Sequence, residues 1–423
     1  MKTFEPGEAF AKSCDASDSL ARFRDSFLFP KDAQGAPVVY LAGNSLGLQP
    51  RKVRSYIEAE LDDWAALGVE GHTQARHPWL PYHEELTDMT ARLVGAKPNE
   101  VVVMNTLTIN LHLMMVAFYQ PTAERNQILM ETSAFPSDQY AVASQLRFHG
   151  HTPERSLIEV APRSGEATLR DADILEAIAR AGKGLALVLL GNPNYLTGQV
   201  FDIAAITRAA HAVGARVGFD LAHGAGNLLL NLHDDGPDFA IWCSYKYLNG
   251  GPGALAGCFV HERHAHDFDR PRFAGWWGHD KATRFDMKPV LSPIPGAEGF
   301  QVSNPPIFQL AALRASMELF DAATMSALRA KSVTLTGYLE YLLARLPPGF
   351  CTQLTPPEPE RRGTQLSLRI RGNARELLPK LLEAGVVCDF REPDVLRAAP
   401  VPLYCGFTDA YRFAQILEGL ARG

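Results

Sequence analysis

The sequence predicts an α/β fold, with a mostly parallel sheet in a large domain and a smaller α+β domain beside it. Two observations lead to this prediction. From about residue 98, short apolar runs alternate with helical patterns, and the runs are apolar throughout. Continuous apolar strands are typical of a sheet that is covered on both faces. After Pro305 and Pro306 the pattern changes to long helices, which indicates a second unit.

The apolar runs are predicted to be strands of one sheet. They are residues 101–104, 127–130, 185–190, 215–219, 239–243 and 256–260. Helical patterns over 172–178 and 203–211 lie between them, and Gly214 is a suitable helix stop. Alternation of strand and helix implies parallel pairing, with ligands bound beyond the carboxyl ends of the strands.

The later part of the chain predicts the smaller domain. Residues 308–346 have the pattern of long helices, 364–370 that of a strand, and 408–421 that of a closing helix. A chain of 423 residues is long enough for two or three domains at roughly 150 residues each. We expect a large domain over 61–310, and a smaller unit formed by 1–60 together with 311–423.

Composition excludes several classes of protein. The 41 basic residues are outnumbered by 47 acidic ones, whereas a nucleic-acid-binding domain normally carries a basic surface. No apolar run approaches the roughly 18 residues of a membrane span, and the first residues lack the apolar core of a secretory signal. The six cysteines are scattered without a C-x-x-C pair, as in reduced cytoplasmic proteins. We expect a cytoplasmic protein that acts on a small molecule, without nucleic-acid or membrane partners.

The most informative residues are Asp220, at the end of one predicted strand, and Lys246, just after the next. Lys246 stands between Tyr245 and Tyr247, and desolvation there favours the neutral amine that attacks an aldehyde. An acid at a neighbouring strand end can hold a protonated pyridine nitrogen, as pyridoxal phosphate (PLP) enzymes require. An ordinary ion pair beside a glycine turn is the alternative, and the combined spacing favours the PLP interpretation.

A phosphate site should accompany such a lysine. A helical pattern begins after the strand 101–104, and Thr108 with the unpaired amides of that helix start forms a predicted anion site. After the next strand, Phe135 offers a ring that can stack on a planar cofactor.

With these motifs in place, the chain resembles the kynureninases, which are PLP-dependent, transferase-like enzymes of fold type I. The resemblance covers residues 41–404. It rests on the segments 41–47 (LAGNSLG), 135–138 (FPSD), 218–223 (GFDLAH), 244–253 (SYKYLNGGPG), 275–279 (GWWGH), 303–306 (SNPP) and 397–404 (RAAPVPLY). The Asp–Lys pair alone indicates only the superfamily, whereas SNPP and the arginine-containing segment are specific to the family.

The resemblance implies PLP as the cofactor, and no metal. Lys246 would form the Schiff base, Asp220 would pair with the pyridine nitrogen, and Tyr245 would act as a proton donor. The implied cofactor-binding residues are Leu107, Thr108, Phe135, Pro136, Ser137, Asp138, Asp220, His223, Tyr245, Lys246, Trp276 and Asn304. Trp276 and Asn304 would reach the site from the other subunit, so a homodimer with shared active sites is implied.

The implied reaction is hydrolysis of L-kynurenine or 3-hydroxy-L-kynurenine to anthranilate or 3-hydroxyanthranilate plus L-alanine, as in tryptophan breakdown. Arg397 matches the position that clamps the substrate α-carboxylate, a task suited to a bidentate guanidinium. His72 and Asn304 match the pair that contacts the aromatic ring in members preferring the hydroxylated substrate. Ser45 is a further implied substrate contact.

One segment departs from the family pattern. Gly191 stands where the family places a hydroxyl residue that contacts the cofactor, and Asn192-Pro193 is similar to an aminotransferase stretch whose Asn bonds the ring hydroxyl. An aminotransferase or a cysteine desulfurase of the same fold therefore stays open, as does a non-catalytic binding protein on this scaffold. The histidine-rich run 261–266 lacks H-E-x-x-H spacing, and we expect a solvated helix there rather than a zinc site.

Overall fold

The computed structural model describes residues 3–132, 134–372 and 374–422. Helices in the described residues include three short, single-turn segments and longer ones that flank the sheets. They are α1 (Glu8–Ala16), α2 (Val53–Leu67), α3 (Gly71–Gln74), α4 (Thr87–Val94), α5 (Leu107–Phe118), α6 (Pro136–Phe148), α7 (Pro153–Ser156), α8 (Asp171–Ala181), α9 (Ile203–Ala212), α10 (Leu232–Asp235), α11 (Ile307–Ala323), α12 (Met325–Leu343), α13 (Ala374–Glu383) and α14 (Phe407–Arg422).

The strands of the described residues form one large sheet, one smaller sheet and two short pairs. They are β1 (Phe27–Leu28), β2 (Val39–Tyr40), β3 (Gln49–Pro50), β4 (Val101–Met104), β5 (Gln127–Glu131), β6 (Leu157–Val160), β7 (Leu185–Gly191), β8 (Arg216–Asp220), β9 (Phe239–Cys243), β10 (Ala256–Val260), β11 (Cys351–Gln353), β12 (Leu366–Ile370), β13 (Val386–Val387), β14 (Asp389–Arg391) and β15 (Val395–Ala398).

The large sheet has the strand order β4-β10-β9-β8-β7-β5-β6. The five neighbouring strands β6, β5, β7, β8 and β9 pair in parallel, which confirms the predicted α/β class. Strand β10 is antiparallel to both β9 and β4, so it departs from the expected parallel series. The segment 244–255 between β9 and β10 contains no helix, and a parallel pair would need a longer crossover connection.

Burial on both faces explains why the strands are apolar throughout. In β7, Leu187 and Leu189 pack in the core beneath α5 and α6, whereas Val188 and Leu190 pack in the larger core that includes α8, α9 and α11. Successive side chains of a strand point to opposite faces, so a strand covered on both sides needs an apolar residue at every position.

The smaller sheet is antiparallel, in the order β11-β12-β15-β14. The predicted long helices are observed as α11 and α12, and the closing helix as α14. The N-terminal segment joins this part of the chain, because β2 pairs with β13 and α1 packs on α14. Residue 61 lies inside α2 and residue 310 lies inside α11, so neither predicted boundary falls between elements. The division into two domains at those residues stays a prediction. Among the described helices, none combines the length and the apolar character needed to cross a membrane.

Candidate active site

A cavity opens at the carboxyl ends of β5, β7 and β8, where ligands of α/β sheets are expected. The strand ends contribute Glu131, Gly191 and Asp220. Nine residues singled out from the sequence line this one cavity. They are Leu107, Thr108, Phe135, Ser137, Asp138, Asp220, His223, Tyr245 and Lys246.

Lys246 lies among aromatic rings, in the loop that follows β9. Its Nζ is 5.7 Å from the ring centroid of Phe135 and 5.9 Å from that of Tyr245. The N-terminal segment of the chain holds this loop in place, because Gly47 N–H donates a hydrogen bond to the carbonyl of Tyr245 over 2.8 Å. A Cβ on Gly47 would lie 2.4 Å from the carbonyl oxygen of Lys246, so only glycine allows this approach.

Three carboxyl groups share the cavity with this single lysine. Asp220 is 6% exposed, and its Oδ1 accepts a hydrogen bond from Ala222 N–H over 2.7 Å. Burial and the neighbouring charge of Asp220 raise the pKa of Asp138 well above its usual range. Burial also raises the pKa of Glu131, to about 7. A site rich in buried acid groups favours a ligand with a cationic pole, such as a protonated ring nitrogen.

Two helix starts form the other pole of the cavity. Leu107 and Thr108 open α5, Pro136 and Ser137 open α6, and neither helix has a side-chain cap. The two hydroxyl groups of Thr108 and Ser137 are 2.8 Å apart. Unpaired amides and the positive end of each helix dipole suit an anion such as a phosphate. Together, the acidic pole, the anion pole and the lysine fit PLP.

His223 completes the wall near Asp220. Burial lowers the pKa of His223 well below its usual value, and the positive charge of Lys246 acts in the same direction. The imidazole is therefore neutral at neutral pH and can donate or accept a hydrogen bond without adding charge to the site.

Arg397 lies behind the cavity wall rather than in it. It is 1% exposed on β15, where Nη1 donates to the carbonyl of Tyr195 over 2.7 Å and Nη2 pairs with Asp389 over 2.8 Å. Its Nε has no hydrogen-bond partner among the described residues. Arg397 is not part of the cavity lining, but Tyr195, whose carbonyl it binds, is.

Comparison with known proteins identifies the family. The family model described as "Kynureninase C-terminal domain" matches residues 328–417. A kynureninase of Myxococcus xanthus is 67% identical over 419 residues, which cover 99% of this chain and 98% of that protein. A kynureninase of Koribacter versatilis is 60% identical over 412 residues, 97% of each chain. The chain belongs to the kynureninase family.

Solved structures show the same fold at low sequence identity. A cysteine desulfurase from Escherichia coli has a TM-score of 0.76 at 18% identity, covering 99% of this chain and 98% of that one. The cystine C-S lyase C-DES, in complex with cysteine persulfide, has a TM-score of 0.74 at 20% identity and covers 91% and 98%. Another C-DES structure, with glycine covalently linked to its PLP cofactor, has a TM-score of 0.78 at 18% identity and covers 93% and 99%. These structures confirm that this chain has the fold of the fold-type I class.

Two predicted cofactor contacts lie outside the cavity. Trp276 is 44% exposed, and its Nε1 donates to the carbonyl of Arg284 over 3.2 Å. Asn304 is exposed and lines a separate cleft beside Thr106 and Ile109. Within one subunit the structure does not bring either side chain to Lys246, as expected if both serve the neighbouring subunit.

The remaining predicted contacts, His72, Ser45 and Pro136, are not among the residues that line the cavity. His72 packs edge-on against Trp79 with ring centroids 5.4 Å apart, and its Nδ1 is 3.0 Å from the carbonyl oxygen of Val69. Ser45 lies two residues before Gly47, which contacts the Lys246 loop. Pro136 is exposed at the first position of α6.

Sequence reasoning missed two residues of the cavity, Glu131 and Tyr195. Glu131 ends a buried strand just as Asp220 does, so the same signal could have found it. Tyr195 follows no such pattern. Its ring packs edge-on against that of Phe135 with centroids 5.3 Å apart.

The aminotransferase-like segment does not present its asparagine to the cavity. Asn192 is 1% exposed, and its side chain pairs with both backbone groups of Phe201, donating over 3.2 Å and accepting over 3.0 Å. Gly191 lines the cavity without a side chain. The resemblance of this segment to aminotransferases therefore does not extend to a cofactor contact by Asn192.

The prediction of a solvated helix over 261–266 was wrong. Glu262–His264 is a single 3₁₀ turn, and His261 and His264 are 8% and 6% exposed. His264 Nε2 pairs with Asp238 Oδ1 over 2.8 Å, and this buried carboxylate also accepts from His211. Pairing with a buried acid explains why the imidazole of His264 leaves the solvent, and His261 lies against the carbonyl of His233 instead, with Nε2 3.1 Å from its oxygen.

Proposed function

We propose that this chain hydrolyses L-kynurenine or 3-hydroxy-L-kynurenine, with PLP as cofactor, to anthranilate or 3-hydroxyanthranilate and L-alanine. The observation that carries the proposal is the 67% identity to a kynureninase over 99% of the chain. The cavity supports it, since Lys246 and Asp220 meet there with the two helix starts. When bound through Lys246, PLP supplies an electron sink that weakens the bonds around the substrate's Cα and Cβ.

The overall reaction consumes one water molecule. Its oxygen adds to the carbonyl carbon that bears the ring, and the bond between that carbon and Cβ breaks. The carbonyl group leaves as the aryl carboxylate, and Cβ takes a proton to become the methyl group of alanine. Protein groups must therefore deliver one proton at Cβ, and any proton that is removed at Cα during the reaction must be returned there, because the product alanine carries it.

We assign these proton transfers to two side chains of the cavity lining. The amine of Lys246 is the proposed acceptor of the Cα proton. Burial raises the pKa of the adjacent Tyr245, and the Cys243 thiol adds to this effect. Tyr245 is therefore protonated at neutral pH and is the proposed donor to Cβ.

We predict that Tyr245→Phe lowers kcat by about 10²-fold, because general acid catalysis typically contributes a factor of 10²–10⁴. PLP absorbance should be retained, since the ring and its contact with Lys246 stay in place. The measurement is kcat together with the absorbance spectrum of the loaded protein. Tyr140→Phe is the matched control, because Tyr140 is 71% exposed on α6. Wild-type turnover in Tyr245→Phe would exclude the donor role.

Arg397 is the proposed clamp for the substrate α-carboxylate. Its unpaired Nε and the fixed position of its guanidinium, held by Asp389 and the carbonyl of Tyr195, support this role.

We predict that Arg397→Lys raises KM about 10- to 100-fold, because a hydrogen bond to a charged group contributes about 1.5–3 kcal/mol and lysine cannot bind a carboxylate bidentately. The affinity for PLP should not change. Steady-state kinetics and PLP titration separate the two effects. Arg369→Lys on the neighbouring strand β12 is the control, because Arg369 is half exposed and paired with Asp394. An unchanged KM in Arg397→Lys would contradict the clamp.

A homodimer with shared active sites is part of the same proposal. Trp276 lies on a loop that exposes several large apolar side chains, including Phe285, Met287 and Val290. Contiguous exposed apolar residues are typical of a surface that another protein chain covers. A cytoplasmic location is proposed as well, since the six cysteines form no disulfide with one another in the described part of the chain.

Product analysis tests the proposed reaction. PLP-loaded protein is offered equal amounts of L-kynurenine and 3-hydroxy-L-kynurenine, and both aryl acids and alanine are quantified. We expect aryl acid and alanine in equal amounts, with 3-hydroxyanthranilate in excess, because His72 and Asn304 can hydrogen-bond an added ring hydroxyl. If the PLP-loaded protein released neither aryl acid, that result would contradict the proposal. Equal rates for both substrates would contradict the His72–Asn304 argument alone.

A further inference from the structure

Glu131 is a buried acid group of the cavity to which no role has been given so far. It is 2% exposed at the carboxyl end of β5. Its Oε1 accepts a hydrogen bond from Gly191 N–H over 3.2 Å. Its buried Oε2 has no partner within hydrogen-bond geometry in the described part of the chain, although the Asn194 side chain lies close enough to lower the pKa of this carboxyl group. Buried polar atoms are nearly always paired, and leaving one unpaired costs about 1–3 kcal/mol. An unpaired carboxyl oxygen in the lining of a ligand cavity points to a ligand group that pairs with it.

Gly191 provides the space in which this carboxyl group lies. Strands β5 and β7 are parallel neighbours, and each ends at the cavity. A Cβ on residue 191 would lie 3.2 Å from Glu131 Oε1, which is closer than an ordinary contact. A side chain at position 191 and the observed position of the Glu131 carboxyl group therefore compete for the same space.

The surroundings of Glu131 allow its carboxyl group to act as a hydrogen-bond donor or as an acceptor. The titratable groups that share the cavity lining are Asp138, Asp220, His223, Tyr245 and Lys246. Burial, and to a smaller degree the charge of Asp220, raises the pKa of Glu131 to about 7, while the backbone amides of Glu131 and Gly191 and the Asn194 side chain oppose this. At neutral pH the carboxyl group can either donate or accept a hydrogen bond.

We propose that Glu131 is a further cofactor-site residue, whose carboxyl group forms a hydrogen bond with bound PLP beside Gly191. PLP carries polar groups besides its phosphate, and Asp220 accounts for the ring nitrogen only. The proposal rests on PLP being the cofactor, which belongs to the proposed function above.

The test measures PLP binding to the apoenzyme rather than turnover. Glu131→Leu removes the carboxyl group and keeps an apolar side chain of similar size. We expect its dissociation constant for PLP to rise at least tenfold, and the absorbance maximum of bound PLP, without substrate, to shift. The melting temperature of the apoenzyme should stay at the wild-type value or rise, because a buried, half-paired acid is lost. A merely structural role would instead lower the melting temperature and leave the spectrum unchanged.

Two further variants keep the test decisive. Glu159→Leu is the matched control, because Glu159 is exposed on the neighbouring strand β6 and should bind PLP as the wild type does. Gly191→Ala pushes a Cβ against Oε1, so it should weaken PLP binding in the wild type but not in the Glu131→Leu background. Unchanged PLP affinity and spectrum in both Glu131→Leu and Gly191→Ala would overturn the proposal.

These outcomes are separable from those of the proposed function. If the wild-type protein binds PLP but releases no aryl acid from either kynurenine, the proposed reaction fails, and the Glu131 comparison still decides its own question. If Glu131→Leu binds PLP as the wild type does while the wild type hydrolyses kynurenine, only the Glu131 proposal fails.

Discussion

We expect Lys246→Ala to abolish turnover and to leave no PLP that borohydride can trap on the protein. The amine of Lys246 is the proposed covalent anchor of the cofactor and the acceptor of the Cα proton, so no other group of the described cavity replaces it. The measurement is the mass of the peptide that contains residue 246 after borohydride reduction, together with kcat.

Lys12→Ala is the control for this variant, because Lys12 is 65% exposed on α1 and pairs with Glu8. It should retain one trapped PLP per chain and wild-type turnover. Trapped PLP at one per chain in Lys246→Ala would show that the anchor is another residue.

Asp220→Asn has the second largest expected effect. Asp220 lies at the end of β8 in the acidic pole, where its carboxylate is the proposed partner of the protonated ring nitrogen. Breaking a buried charge pair costs about 3–5 kcal/mol, and such a loss in the transition state lowers kcat by about 10²–10⁴-fold. We therefore expect a loss of kcat in that range in steady-state kinetics of the loaded protein.

The asparagine keeps the shape of the side chain and its hydrogen bond from Ala222 N–H, so folding should not change. Asp269→Asn is the control, because Asp269 is exposed. A kcat within threefold of the wild type in Asp220→Asn would show that the ring nitrogen needs no carboxylate partner here.

Local patterns were enough to predict the centre of the site. Asp220 and Lys246 each follow a run of buried apolar residues, and strand ends of one sheet meet at one edge, so their proximity could be expected. Thr108 could be predicted for a similar reason, since the start of a helix after a strand lies at the same edge. The structure brings all three to one cavity.

Other features depend on contacts that no local pattern encodes. The antiparallel direction of β10 follows from the connection before it, and its apolar run is the same in either direction. The burial of His264 depends on Asp238, which is distant along the sequence. Whether Arg397 faces the cavity depends on Tyr195, a loop residue without a pattern. The roles of Trp276 and Asn304 concern a second subunit.

Incorporation of water oxygen tests the central claim most directly. The PLP-loaded protein is incubated with L-kynurenine in H₂¹⁸O, and the masses of the aryl acid and of alanine are measured against a reaction without protein. Hydrolysis at the ring-bearing carbonyl carbon predicts anthranilate with ¹⁸O in its carboxylate, and an equal amount of alanine without the label. Amino-group transfer to a keto acid, or anthranilate that contains no ¹⁸O, would contradict the proposed reaction.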